Sequence, residues 1–183
     1  MEREIETRFL EIDKDALIQK LVELGAVDCG EERLDETIFH AADGSWVGKR
    51  KFVRLRKSKN KITLAYKENR EQTIDSTREI EFEVSDTAKC SEFLEKLGLG
   101  AMRTVEKYRH TFTFGDVTLD IDTWPKIPPY VEIEGPTVGR VKEVGEKLEF
   151  DCNKRFDGDA RQVFRSYDYD IDKLSVILFN KFE

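Results

Sequence analysis

Glu4-Ile5-Glu6-Thr7-Arg8-Phe9 alternates charged side chains with apolar or neutral ones at a period of two. That is the spacing of a β-strand, whose successive side chains point to opposite faces. Glu4, Glu6 and Arg8 share one face, and Ile5, Thr7 and Phe9 the other. The alternation recurs in Phe52 to Lys57, Ile62 to Lys67, Arg78 to Val84, Val105 to Phe114, Val117 to Asp122 and Tyr130 to Glu134, and residues 36 to 40 supply one more strand. Eight short strands with few helices between them point to an antiparallel barrel or closed sandwich rather than a parallel sheet.

Three helices are punctuated clearly. Asp13 is placed to N-cap a helix carrying Leu17, Leu21 and Leu24 on one stripe, with Gly25 at the expected C-terminal stop. Asp86 to Leu97, followed by Gly98, repeats that arrangement, and Thr137 opens a third helix bearing Val141, Val144 and Leu148. Each follows a strand rich in alternating acids. A fourth amphipathic helix is expected over Asp170 to Lys181.

Nearly every strand's polar face carries one sign of charge. Acids line up as Glu79, Glu81 and Glu83, as Asp120 and Asp122, and as Glu132 and Glu134. Bases line up as Arg54 and Arg56, as Lys107 and Arg109, and at Lys67. For a single strand such a face is ordinarily the solvated side of an antiparallel sheet. Solvated faces usually mix their charges, however, and like charges two residues apart repel. Segregation is tolerable where acids bind divalent cations and bases bind phosphate oxygens, and closing the sheet would put both sets in one lumen.

At 183 residues with no linker of biased composition, the chain reads as one domain, residues 1–183. A charged fraction of 38% exceeds the roughly 25% of an average soluble domain, so the excess needs a location. A net charge of −7 argues against a nucleic-acid binder, which needs a basic surface. No apolar run approaches a membrane span, and the first residues lack the apolar region of a signal peptide, so a cytoplasmic protein without membrane contact is expected. Cys29, Cys90 and Cys152 are widely spaced, which favours neither disulfides nor a zinc site. Two histidines, His40 and His110, leave little material for imidazole chemistry and read as structural. Trp46 and Trp124 read as packing aromatics beside loops, outside the site.

Glu4-Ile5-Glu6-Thr7-Arg8 resembles the N-terminal ExExK signature of the CYTH family, the triphosphate tunnel metalloenzymes, with Arg8 where the signature has lysine. Val53 to Arg56 is similar to the family's paired-arginine strand, Ile62 to Lys67 to its lysine-bearing strand and Arg78 to Glu83 to its acidic strand. Lys107-Tyr108-Arg109 is similar to the KxR strand, and Asp120 to Glu134 to the hairpin ending in EIEG. Arg165-Ser166-Tyr167 is similar to an element of the adenylyl cyclase branch.

This resemblance implies an α+β fold, an eight-stranded antiparallel β-barrel around a tunnel with helices on the outside, and Mg²⁺ or Mn²⁺ as cofactor. Hard cations prefer carboxylate oxygens, so the implied metal ligands are Glu4, Glu6, Glu132 and Glu134, with Asp120 or Asp122 in support. The implied clamp for a triphosphate is Arg54, Arg56, Lys107, Arg109 and Arg165, with Arg8 and Lys67 nearest the chemistry and Lys67 orienting the nucleophile. Glu79, Glu81 and Glu83 hold those bases or bind metal. Arg54 and Arg56 are expected to meet phosphate rather than stabilise the fold; an ion-pair network with Glu79 to Glu83 is the rival reading.

Three functions follow. Hydrolysis of tripolyphosphate, a nucleoside triphosphate or thiamine triphosphate requires least. A class IV adenylyl cyclase would use the same clamp to form cyclic AMP and pyrophosphate. A non-catalytic polyphosphate- or nucleotide-binding module could dispense with the acids, which are intact here. The partner is a small-molecule triphosphate, and the family implies a homodimer.

Overall fold

A computed structural model describes residues 2–69, 73–74 and 77–183. Its strands are β1 (Glu2–Glu4), β2 (Glu6–Phe9), β3 (Val27–Ala41), β4 (Lys51–Lys57), β5 (Ile62–Asn69), β6 (Thr77–Val84), β7 (Leu99–Phe114), β8 (Val117–Thr123) and β9 (Tyr130–Glu134). A short hairpin of β10 (Val176–Leu178) and β11 (Lys181–Phe182) follows at the C-terminus. The helices are α1 (Lys14–Glu23), α2 (Thr87–Lys96), α3 (Val138–Lys147) and α4 (Ala160–Arg165).

The strands are hydrogen-bonded in the order β1-β6-β5-β4-β3-β7-β8-β9-β2, all antiparallel. β1 and β2 are one stretch of chain broken only at Ile5. Its first half pairs with β6 and its second half with β9. Both edges of the sheet therefore end on the same segment, which removes free edges as barrel closure does. The stretch read from sequence as one strand is divided because it serves two partners.

The helix signals act as their chemistry requires. Asp13, Asp86 and Thr137 each accept a backbone N–H three residues on, and Gly25 and Gly98 take positive φ just past their helices. α1 and α3 cover a core of Phe9, Leu17, Leu21, Phe112, Leu119, Ile121, Ile133, Val141 and Val144. α2 sets Leu94 against Phe39, Val53 and Leu55. The expected apolar cover is incomplete: Ile80 and Phe82 on the outer face of β6 stay 48% and 54% exposed.

The C-terminal helix expected over Asp170 to Lys181 does not form. Asp170 caps only a 3₁₀ turn, Ile171–Lys173, after which β10 runs parallel to β7. Val176 and Ile177 are β-branched, and Ile177 buries fully in a cluster with Val105, Val163 and Phe164, so packing favours the extended form. α4 lay outside the expected elements, although Asp159 and Gln162 form a capping box.

Candidate functional site

The inward faces of the strands line one cavity of about 550 Å³. β4 contributes Arg54 and Arg56, β5 Lys67, β7 Lys107 and Arg109, and β2 Arg8; Glu4, Glu6, Glu79, Glu81, Glu132 and Glu134 line the same space. Period-two alternation explains the convergence, since Arg54 and Arg56, Glu79 and Glu81, Lys107 and Arg109, and Glu132 and Glu134 each lie two residues apart on one face of their strand. Four residues read as site residues do not line the cavity. Asp120 and Asp122 stand in its wall behind the bases, and Glu83 is exposed on β6. Arg165 points outward from α4 to pair with Asp170 and Asp172.

Without ligand, the bases are paired with acids. The Arg54 guanidinium donates to Glu79 at 3.2 Å and Glu81 at 2.9 Å, and Arg56 Nε donates to Glu36 at 2.7 Å. Lys67 Nζ reaches both Glu4 oxygens at 2.8 and 3.0 Å and lies 3.2 Å from Glu79. Arg8 bridges Glu6 at 2.9 Å and Glu132 at 2.8 Å and donates to the Gly158 carbonyl at 2.7 Å. Lys107 donates to Asp122 at 2.7 Å, while Arg109 takes Asp122 with two nitrogens, at 2.7 and 2.8 Å, and Asp120 at 2.5 Å. The ion-pair network treated as the rival reading is thus present for Arg54, with Glu79 and Glu81, while Arg56 pairs with Glu36 instead.

These pairs divide the acids into two groups. Burial would raise the carboxyl pKa of Glu36, Asp122 and Glu132, but the neighbouring guanidinium and ammonium groups hold all three below the ordinary range. Glu4, Glu6 and Glu134 go the other way. Burial, reinforced by neighbouring carboxyl groups, pushes them up to about 7, about 8 and about 7. Glu132 acts on Glu6, and Glu4 and Glu132 act on Glu134. Lys107 is pushed down to about 8 by burial and by Arg109. Tyr130, buried beside Asp122 and Glu132, is held well above the usual phenol range.

Glu4, Glu6 and Glu134 are therefore acids that hold their protons more tightly than free carboxyls do, and a cation beside them would favour their charged forms. Hard carboxylate oxygens in that state suit Mg²⁺ or Mn²⁺. No cluster of three or more His, Cys, Asp or Glu side chains is arranged as a ready metal site among the described residues; the fit of Glu4, Glu6 and Glu134 to a hard cation rests on their donor chemistry.

Several cavity residues went unnoticed in the sequence. Glu36 sits on the inward period of the 36–40 strand and could have been found there. Arg103, Asp159, Arg161 and Asp172 could not, because a strand irregularity and the C-terminal fold bring them in. Trp124, set aside as a packing residue, lines the cavity with Lys107 Nζ 4.7 Å above its ring. It also packs edge-on against Phe164, as a loop aromatic is expected to.

The model of the CYTH domain matches residues 2–167. The chain belongs to the CYTH domain family. A comparison of the sequence with curated proteins gives no significant match. Among solved structures, this CYTH chain is similar to the PH1012 protein of Pyrococcus horikoshii, with 24% identity, a TM-score of 0.73 and coverage of 85% of this chain and 96% of that one. A candidate adenylate cyclase of Vibrio parahaemolyticus aligns at 12% identity with a TM-score of 0.75, over 90% and 98% of the two chains. A candidate adenylyl cyclase of Hippeastrum, for which a dominant triphosphatase activity is described, aligns at 17% identity with a TM-score of 0.65, over 91% and 96%. At these identities the likenesses establish the fold.

Proposed function

We propose that this CYTH protein is a metal-dependent phosphohydrolase that binds a triphosphate inside its barrel and cleaves it with water. The observation that carries this reading is the convergence of Arg54, Arg56, Lys67, Lys107, Arg109 and Arg8 on a cavity that also holds Glu4, Glu6 and Glu134. Bases suited to phosphate oxygens and acids suited to a hard cation face the same space.

Binding would proceed by exchange of partners. Phosphate oxygens draw the guanidinium groups of Arg54 and Arg56 away from Glu79, Glu81 and Glu36, gaining charge-assisted hydrogen bonds in place of those given up. Asp122 stays between Lys107 and Arg109 and fixes where both point. Glu4, Glu6 and Glu134 would hold the cation, which when bound neutralises phosphate charge and polarises the bond to be broken. Lys67 orients the attacking water while released from Glu4, and Arg8, which has no titratable role, supplies fixed positive charge. Water adds to the terminal phosphorus, the P–O bond to the next phosphate breaks, and the water's proton passes to solvent. The dominant triphosphatase activity of the Hippeastrum relative supports hydrolysis over cyclisation.

The test is to incubate the protein with ATP, tripolyphosphate and thiamine triphosphate, with and without Mn²⁺, and to identify each product. Metal-dependent release of orthophosphate is expected. Cyclic AMP with pyrophosphate would replace hydrolysis by the cyclase reaction, and no turnover of any of the three would leave only a binding module.

A further inference from the structure

The segment between α3 and α4 lies along β2 on the edge that does not pair with β9. Phe156 and Arg8 exchange backbone hydrogen bonds there at 2.8 and 3.0 Å, as an isolated antiparallel bridge. Beside the bridge, the hydroxyl of the buried Thr7 donates to Asp157 at 2.6 Å. Asp157 also accepts from Arg155 Nε at 3.0 Å. Residues 155–158 thus form a strap fastened to β2 by both backbone and side chain.

The strap meets Arg8 a second time, at the guanidinium. Nη2 is shared by Glu6 and Glu132, but Nη1 donates to the Gly158 carbonyl at 2.7 Å, and no other donor bonds that oxygen among the described residues. Only glycine fits at this point: a Cβ on residue 158 would come within 2.5 Å of the Phe156 ring and 2.9 Å of Gln162 Oε1. Gln162 is tied to Asp159 by the capping box of α4, so the carbonyl is held from both sides. The donors of a lysine ammonium radiate from one point, whereas the planar guanidinium sends them along separate edges, here one to the acids and one to the wall. The strap gives the arginine at position 8, where the family signature has lysine, a partner of its own.

We propose that Asp157 and the Gly158 carbonyl are a positioning device for Arg8, holding its guanidinium in place while ligands take its acids. The proposal rests on the reading of the cavity as the site of triphosphate hydrolysis. Of the three groups that Arg8 grips, Glu6 is also a candidate ligand for the cation, and Glu132 is shared with Arg109 at 3.2 Å. Both acids are open to competition once metal and phosphate enter. The Gly158 carbonyl is neutral backbone, fixed by the Thr7–Asp157 bond and the Phe156–Arg8 bridge, so its hold on Nη1 stays the same with and without ligand. A guanidinium anchored from behind needs no reorganisation as charge develops on the phosphate. Asp157 does not line the cavity and acts only through Thr7 and the strap.

The test is a double-mutant cycle read in kcat and KM for orthophosphate release in Mn²⁺, from whichever of ATP, tripolyphosphate and thiamine triphosphate the wild type turns over fastest. Asp157→Ala should lower kcat at least ~10-fold, as loss of orientation does, with KM within about twofold. Thr7→Val removes the same bond without removing a charge and should give the same split, which keeps the test open where Asp157→Ala does not fold. Asp157→Asn retains an oxygen for Thr7 and should restore most of the lost kcat. In an Arg8→Lys background, which keeps the charge but lowers kcat itself, Asp157→Ala should change kcat by less than about twofold, because no guanidinium is left to hold. Equal losses in the arginine and lysine backgrounds, or a kcat unmoved by both Asp157→Ala and Thr7→Val, would overturn the anchor and leave the clamp in place. A wild type that releases no orthophosphate would overturn the hydrolytic reading and, with it, the anchoring of Arg8 for that reaction.

Discussion

Replacing Arg54 with alanine separates a binding arginine from a scaffold arginine more sharply than any other single change. Without ligand, Arg54 is 9% exposed and makes charge-assisted bonds to Glu79 and Glu81. Removing one partner of a buried ion pair costs about 3–5 kcal/mol when the other is left with nothing. Here the cost is smaller, since Glu79 keeps Lys67 at 3.2 Å and the Glu81 side chain is 32% exposed. Loss of the hydrogen bonds to charged groups sets it at about 1.5–3 kcal/mol. For a domain of this size, about 2–4 °C per kcal/mol, the ligand-free melting temperature should fall by about 3–12 °C. With Mg²⁺ and tripolyphosphate at a hundredfold excess over Kd, the wild type should gain about 2.7 kcal/mol through linkage. The variant should gain clearly less, by about 1.4 kcal/mol for each tenfold loss of affinity. Differential scanning calorimetry of both proteins, with and without ligand, reads the two quantities together. A large loss without ligand accompanied by an undiminished gain on binding would show that Arg54 belongs to the scaffold. An unchanged melting temperature without ligand would contradict the pairing itself.

Further outcomes follow from the same network. Converting Glu4 and Glu6 together to glutamine removes two buried acids of raised pKa, so Mn²⁺ affinity, measured by calorimetry, should collapse while the ligand-free melting temperature holds or rises. Asp122→Asn removes the acid shared by Lys107 and Arg109, fully buried, and should cost about 3–5 kcal/mol in denaturant unfolding. Arg165→Ala, whose pairs are on the surface, should cost no more than about 1 kcal/mol and leave triphosphate affinity unchanged. In the pH dependence, Glu4, Glu6 and Glu134 keep protons in the folded state that the unfolded chain has lost. Their contribution to stability is fully present below pH 4.5 and is lost as pH rises through about 7 to 8. His40, with its pKa lowered, opposes this over part of the window. The melting temperature without metal should fall between pH 5.5 and 8 by about the contribution of three acids against one histidine, and Mg²⁺ should flatten the slope.

Much of this molecule was legible in its sequence because the barrel writes a period of two into every strand. Glu4, Arg54, Lys67, Lys107 and Glu132 each lie on the charged period, and each lines the cavity. The caps at Asp13, Asp86 and Thr137 were visible for a similar reason, since N-capping is local chemistry. What stayed hidden depends on contacts between distant segments. The division of the first strand at Ile5 reflects two partners, β6 and β9, that only the closed sheet supplies. The bulge that turns both Met102 and Arg103 inward has no residue signature of its own. The segment from Asp170 onwards carries a helical spacing of apolar residues, but Ile177 finds a fully buried place beside Val105 as a strand, and tertiary packing outweighs that spacing. Asp122 lay on the charged period, but its enclosure between Lys107 and Arg109 depends on the pairing of β7 with β8. The pairing of Arg56 with Glu36 was hidden as well, because it joins β4 to the inward face of β3.

The most direct test is a crystal of this protein grown with Mn²⁺ and a non-hydrolysable triphosphate analogue, with the manganese located by its anomalous scattering. The phosphates should lie among Arg54, Arg56, Lys107 and Arg109, with Arg54 released from Glu79 and Glu81, and the manganese should lie against Glu4, Glu6 and Glu134. Phosphates bound on the outer surface, or a cavity whose ion pairs remain closed at saturating ligand, would contradict the exchange of partners on which the proposed activity depends.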